Sequence, residues 1–218
     1  MVLVPAGSYV MGSQAGDVPK EDDDPKRRVN LGRFLLSQTE ITQVQWQDMM
    51  GSNPSNFTPC GGDCPVERIK WSDVQQFVQR LSEKTGKRYF VPSEAQWEYA
   101  CRAGELQKYC GSDNVDAVAW YLGQGSKPQR VAQKQANAFG LYDMSGNVWE
   151  WTQDCWGKNA TPVGDTYTPE QVPQCERRVI RGGGWSNFAA GVRATEREGN
   201  RVTIGYEFLG LRVARIDE

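Results

Sequence analysis

The sequence predicts a loop-rich α+β domain with short strands and few short helices. Two stretches carry helical periodicity with recognisable ends. One runs from Ser72 with Val74, Phe77, Val78 and Leu81 on one side and Gly86 as its stop. The other starts at Glu94, behind a capping box of Ser93 and Gln96. Elsewhere the apolar runs are short and bounded by Gly, Pro, Asn or Asp, the punctuation of strands. The connections are long for a compact domain, which marks them as functional or stapled. No repeat, low-complexity segment or linker interrupts the 218 residues, so 1–218 reads as one domain.

Residues 2–12 read as a first strand, bent at Pro5-Ala6-Gly7. Residues 14–28 are a polar loop, and its Glu21-Asp22-Asp23-Asp24 run reads as solvated rather than metal-binding. Residues 29–37 read as a second strand, and Thr42 caps a helix that runs to Met50 and stops at Gly51. A loop rich in Pro, Gly, Asn and Cys fills 51–70 ahead of the helix capped by Ser72. Arg88 to Val91 is a short strand; the helix from Glu94 puts Trp97, Ala100 and Cys101 on one side and ends near Gly104. Residues 104–136 are mostly irregular, anchored by Trp120-Tyr121. After a loop over 156–176, Arg178 to Arg181 forms a strand into Gly182-Gly183-Gly184-Trp185, and Phe208 to Arg215 is a last strand beside the first.

Asn137 to Thr152 organises the chain. Trp149 and Trp151 are two apart, so in an extended segment they share a face, with Val148 and Glu150 on the other. Residues 142–147 form a tight turn in which Gly146 and Asn147 accept positive φ. Glu150, between two Trp, is expected to be buried, and a buried charge needs a partner. Two partners are open: Ca²⁺, with Asp143, Glu150 and turn oxygens as hard ligands, or an Arg or backbone N–H groups.

Composition narrows the chemistry. The net charge of −2 argues against a nucleic-acid or anionic-membrane partner. No apolar run approaches the roughly 18 residues of a membrane-spanning helix, so no membrane insertion is expected. The absence of histidine excludes Ser-His-Asp and Cys-His nucleophiles, histidine acid–base catalysis and histidine-ligated metals. Six Cys at 60, 64, 101, 110, 155 and 175 allow fifteen pairings, and Cys60-Gly-Gly-Asp-Cys64 could close its own small loop. Their spacing does not match a zinc ribbon, so disulfides and a periplasmic or secreted location are expected, a leader peptide having been removed.

The chain resembles the sulfatase-modifying-factor, or formylglycine-generating-enzyme-like, family. The matching motifs are Val4-Pro-Ala-Gly-Ser-Tyr-Val-Met-Gly12, Glu40-Ile-Thr42, Pro65 to Trp71, Val91 to Ala100, Asn137 to Trp151, Arg181-Gly-Gly-Gly-Trp185 and Leu209-Gly-Leu-Arg212. The resemblance implies a variant C-type-lectin-like fold. It also implies a structural Ca²⁺ site with Asp143, Gly146, Val148 and Glu150 as ligands, the middle two through backbone carbonyls. Oxidases of this family use a Cys pair after the Gly-Gly-x-aromatic motif to bind copper(I), which suits soft thiolates. Here Asn187 and Val192 occupy those positions. Neither binds copper(I), so copper and formylglycine-generating activity are not expected, and no catalytic residue is assigned.

Residues 185–208 are dense in aromatic and Arg groups, the types enriched at binding hot spots. Trp185, Asn187, Phe188, Arg193, Glu196 and Tyr206 are the candidate ligand-contacting residues for a peptide, protein or small molecule. Three functions follow: a non-oxidase ligand-binding or accessory protein; a periplasmic oxidative enzyme of secondary-metabolite or siderophore maturation, with Glu196 or Tyr206 as base; or a variable binding protein diversified by a retroelement.

Overall fold

The computed structural model describes residues 1–13, 26–157 and 174–216. The acidic run at 21–24 lies outside them. The first apolar stretch divides at Pro5-Ala6 into β1 (Val2–Val4) and β2 (Gly7–Met11). The second divides at Gly32-Arg33 into β3 (Arg27–Leu31) and β4 (Phe34–Leu36). In each case the break sends the two halves to different sheets: β2 pairs with β3, and β1 pairs with β4, both antiparallel. One bent strand was expected in each place; a proline or glycine corner turned it into two.

Helix α1 (Gln43–Met50) has the expected ends. Thr42 and Gln45 form a reciprocal capping box, and Gly51 closes it at φ 82°. Helix α2 (Trp71–Thr85) starts two residues earlier than expected: Lys70 is the N-cap, and its N–H is taken by the Asp73 carboxylate at 3.0 Å, so Ser72 lies inside the helix. Gly86 stops it at φ 66°. After β5 (Tyr89–Phe90), Ser93 and Gln96 cap α3 (Glu94–Arg102), every residue of which except Gln96 is buried. A single turn, α4 (Val115–Val118), leads into β6 (Ala119–Trp120), giving order to part of a stretch expected to be irregular.

The organising stretch supplies β7 (Ser145–Gly146), parallel to β6, and the long buried strand β8 (Trp149–Cys155). Strands β9 (Arg177–Arg181) and β10 (Arg197–Arg201) extend β8 on one side, and β11 (Leu209–Gly210) joins it in parallel on the other. The last strand, β12 (Ala214–Ile216), lies between β4 and β5. The first and last strands are therefore not neighbours as expected; β4 separates them.

Two buried clusters hold these layers together. Trp149 and Trp151, on one face of β8 as their spacing dictates, pack with Ile69, Trp71, Leu209 and Leu211. Trp97 and Leu141 belong to the other cluster, with Val4, Leu36 and Met144. All six cysteines are joined, as Cys60–Cys64, Cys101–Cys110 and Cys155–Cys175.

α3 carries acids into the interior. Glu94 takes both Arg197 Nε and Nη2 at 2.7 Å, and its carboxyl, penalised by burial, is still held below the usual carboxylate range by Arg197 and Arg181. Glu98 bonds Arg102 at 2.9 Å and pairs with Arg181. This network ties α3 to β9 and β10.

Candidate functional site

The turn before β8 gathers three carboxylates that are almost wholly shielded from solvent: Glu40, Asp143 and Glu150. Asp143 and Asn147 adopt left-handed φ of 56° and 59°, and Gly146 has φ 81°, which folds the turn back on itself. A Cβ on Gly146 would lie 2.3 Å from the Trp120 carbonyl, so only glycine fits there. Glu150, on the face of β8 opposite the tryptophans, has the arginine partner that its sequence left open. Its oxygens accept from Arg212 Nε at 2.6 Å, Arg212 Nη2 at 2.7 Å and Trp97 Nε1 at 2.6 Å.

Glu40 accepts from the Val148 N–H at 3.0 Å and Asn147 Nδ2 at 2.7 Å. Burial, then the neighbouring Asp143 and Glu150, raise its carboxyl well above the carboxylate range. Asp143 Oδ2 accepts from the Ala132 N–H at 2.7 Å, whereas Oδ1 is buried without a hydrogen-bond partner. Burial pushes its pKa up to about 6. Three carboxyl groups thus share one guanidinium. The orphaned Asp143 oxygen is a free hard donor that a divalent cation in the turn would use, although among the described residues no group of three or more acidic side chains is arranged to hold one. Glu150 fits less well as a direct ligand because both its oxygens are engaged.

The sequence-predicted ligand face is partly assembled. Trp185 is half-buried: its Nε1 donates to the Glu207 carbonyl at 3.3 Å, and its ring meets Phe57 edge-on at 5.4 Å. Asn56 donates to the Glu207 carboxylate at 3.3 Å. Phe188 is 75% exposed beside Asn187, whose carbonyl accepts the N–H of the exposed Leu122. Tyr206 stacks on Phe208 at 5.0 Å. Trp185, Phe188, Tyr206 and Phe208 thus share a region with Phe57 and Leu122, two residues outside the 185–208 segment.

The other three candidates are used differently. Asn187 points its amide oxygen inward, accepting from Trp149 Nε1 at 2.9 Å and the Gly184 N–H at 3.0 Å. Arg193 and Glu196 belong to a segment that wraps Lys108 and Arg181: Ala194 donates to the Lys108 carbonyl, and Arg181 Nη1 donates to the Thr195 and Glu196 carbonyls at 2.9 and 2.7 Å. Val192 is fully buried among Tyr109, Val118 and Ala119.

Beneath the face lies Glu67, missed by the sequence reading. Its Oε1 accepts the Phe57 N–H at 2.8 Å, Oε2 has no partner, and burial raises its pKa to about 7. A carboxyl with a raised native pKa binds a proton that the unfolded chain has released, so its contribution to stability falls as pH rises from about 4.5 to about 7. Glu67→Gln is therefore expected to flatten the change in Tm between pH 5 and pH 8 (on the order of the window set by that shift). An unchanged Tm–pH slope would contradict this.

A family model described as the sulfatase-modifying factor enzyme 1-like domain matches residues 1–216. Chaperone protein LppX of Paenibacillus barcinonensis is 32% identical over an alignment covering 73% of this chain and 71% of LppX. Among solved structures, Treponema denticola variable protein 1 superposes with a TM-score of 0.86 at 27% identity, covering 100% of this chain and 95% of that one. PvdO from Pseudomonas aeruginosa gives a TM-score of 0.82 at 29% identity, covering 99% and 93%. Two further curated relatives match 99% of this chain over 38% of their own length.

Proposed function

Because the chain belongs to the sulfatase-modifying factor enzyme 1-like family, we propose that it is a non-oxidase member acting as one extracytoplasmic ligand-binding or accessory domain. The observation that carries this is the use made of Asn187 and Val192. By the resemblance these are the positions of the oxidases' copper-binding Cys pair; here they hold an amide tied to Trp149 and Gly184 and a packed isopropyl group. Every cysteine is already in a disulfide, so none offers a thiolate. Three disulfides support an oxidising compartment. The likeness to a protein named a chaperone and to one named a variable protein supports recognition rather than chemistry.

The ligand face is the exposed aromatic region of Trp185, Phe188, Phe57 and Tyr206. Aromatic side chains offer a large contact area at low entropic cost, and a peptide or protein segment is the ligand class they suit. The test is a peptide-array screen with the purified protein. Hits are expected to lose affinity about tenfold or more in Trp185→Ala/Phe188→Ala, the loss of one hot-spot residue or more. Unchanged hits would remove the face from consideration.

Ca²⁺ would be held by Asp143 and the Gly146 and Val148 carbonyls, with Glu150 adding charge it shares with Arg212. Its role is to fix the turn. Millimolar Ca²⁺ is expected to raise Tm relative to EDTA, and Asp143→Asn to abolish the difference. Equal Tm values in Ca²⁺ and EDTA would count against the ion.

A further inference from the structure

Arg177 and Arg201 stand directly opposite each other in the antiparallel pairing of β9 and β10. Like charges at directly opposed positions repel and destabilise a sheet. Arg201 forms no ion pair among the described residues, and Arg177 has only Glu198 at 4.0 Å, both side chains about half exposed at 45% and 51%. A pair that open to water contributes little. The two strands therefore carry a local excess of positive charge that the described protein does not neutralise.

That charge borders an open pocket of about 390 Å³ lined by Arg177, Gly199, Asn200, Arg201, Ile204 and Tyr206. Its walls are fixed. Gly199 lies so close to Trp156 that a Cβ would fall 2.2 Å from the indole, and Gly205 presses on the Arg68 backbone, where a Cβ would fall 2.5 Å away. Asn200 Nδ2 donates to the Arg201 and Ile204 carbonyls at 3.3 and 2.9 Å, closing the turn that forms one side. Arg177 donates to the Gly199 carbonyl. Tyr206 is backed by Phe208, with which it stacks.

We propose that this pocket binds a small organic anion, its phosphate, sulfate or carboxylate seated between Arg177 and Arg201 and its apolar ring against Tyr206 and Ile204. Guanidinium groups form charge-assisted, paired hydrogen bonds to such oxyanions, and the ring gives selectivity over the inorganic ion. The site shares Tyr206 with the aromatic face but none of its other residues: Trp185, Phe188 and Phe57 do not line the pocket.

The experiment is an NMR titration of the full chain with phenyl phosphate, phenyl sulfate, benzoate and inorganic phosphate. Saturable binding of at least one phenyl anion is expected, and the three phenyl probes rank the headgroups. Arg177→Gln and Arg201→Gln are each expected to weaken it about tenfold, the loss of one charge-assisted hydrogen bond. Tyr206→Ala is expected to remove the preference for phenyl phosphate over inorganic phosphate. Arg130→Gln, which removes an exposed positive charge that does not line the pocket, should leave the affinity unchanged. The proposal is overturned by non-saturable shifts with every probe, by full affinity in both Arg177→Gln and Arg201→Gln, or by an equal loss in Arg130→Gln.

Discussion

Replacing Arg212 with Leu is expected to lower stability by about 3–5 kcal/mol, or to prevent folding, because it strands a buried charge. Arg212 and Glu150 are both fully shielded from solvent, and the guanidinium also donates to the Ser37 and Tyr142 carbonyls at 3.1 and 3.0 Å. One side chain thereby joins β8, the turn before it, the segment ahead of α1 and the strand end that leads to β12. Without it, Glu40, Asp143 and Glu150 would face one another with no cation among the described residues. Arg212→Lys should recover only part of the loss, since an ammonium keeps the charge but not the planar fork. The contrast is the exposed pair Arg130–Asp63, with side chains 64% and 60% exposed, where Arg130→Gln should change stability by about 1 kcal/mol or less. Urea unfolding of the three variants checks the order. If Arg212→Leu cost no more than Arg130→Gln, the pair would not be the keystone of the turn.

Removing Cys155–Cys175 is expected to cost about 3 kcal/mol, and to be the largest loss among the three disulfides. The bond closes the open end of the β8–β9 pair across a sequence separation of 20, against 9 for Cys101–Cys110 and 4 for Cys60–Cys64. The entropy removed from the unfolded chain grows with the length of the closed loop, so the three Ser/Ser variants should rank in that order. Denaturant midpoints of the three would show it. A Cys60→Ser/Cys64→Ser variant as unstable as Cys155→Ser/Cys175→Ser would mean that native packing, not loop closure, sets the cost.

Local rules made much of this fold legible. The Thr42 cap, the Ser93–Gln96 box and the stops at Gly51 and Gly86 are features set within a few residues, and the structure keeps them all. The period-2 placement of Trp149 and Trp151 likewise foretold one buried face. Strand partners were not legible, because pairing depends on residues far apart: β4 comes between β1 and β12 through contacts spanning most of the chain. The arginine partner of Glu150 lies 62 positions away, and only its presence in an otherwise apolar Leu-Gly-Leu-Arg-Val run hinted at burial. The ligand face shows the same limit. Residues 185–208 were read as one surface, yet the backbone carbonyls of 194–196 accept from Arg181, while Phe57 and Leu122 arrive from distant loops. Glu67 and Glu40 carry no local signal beyond their motifs; only burial makes them notable.

The proposed non-oxidase role depends on Asn187 and Val192 standing where the family resemblance places the oxidases' thiol pair, and copper binding is its sharpest check. Purified protein with its disulfides intact would be offered one equivalent of copper(I) in competition with a chromophoric chelator, then mixed with a cysteine-containing peptide in air. The account predicts that the chelator keeps the copper and that no aldehyde forms on the peptide. Retention of one equivalent of copper by the folded protein, with conversion of the peptide cysteine to an aldehyde, would contradict it.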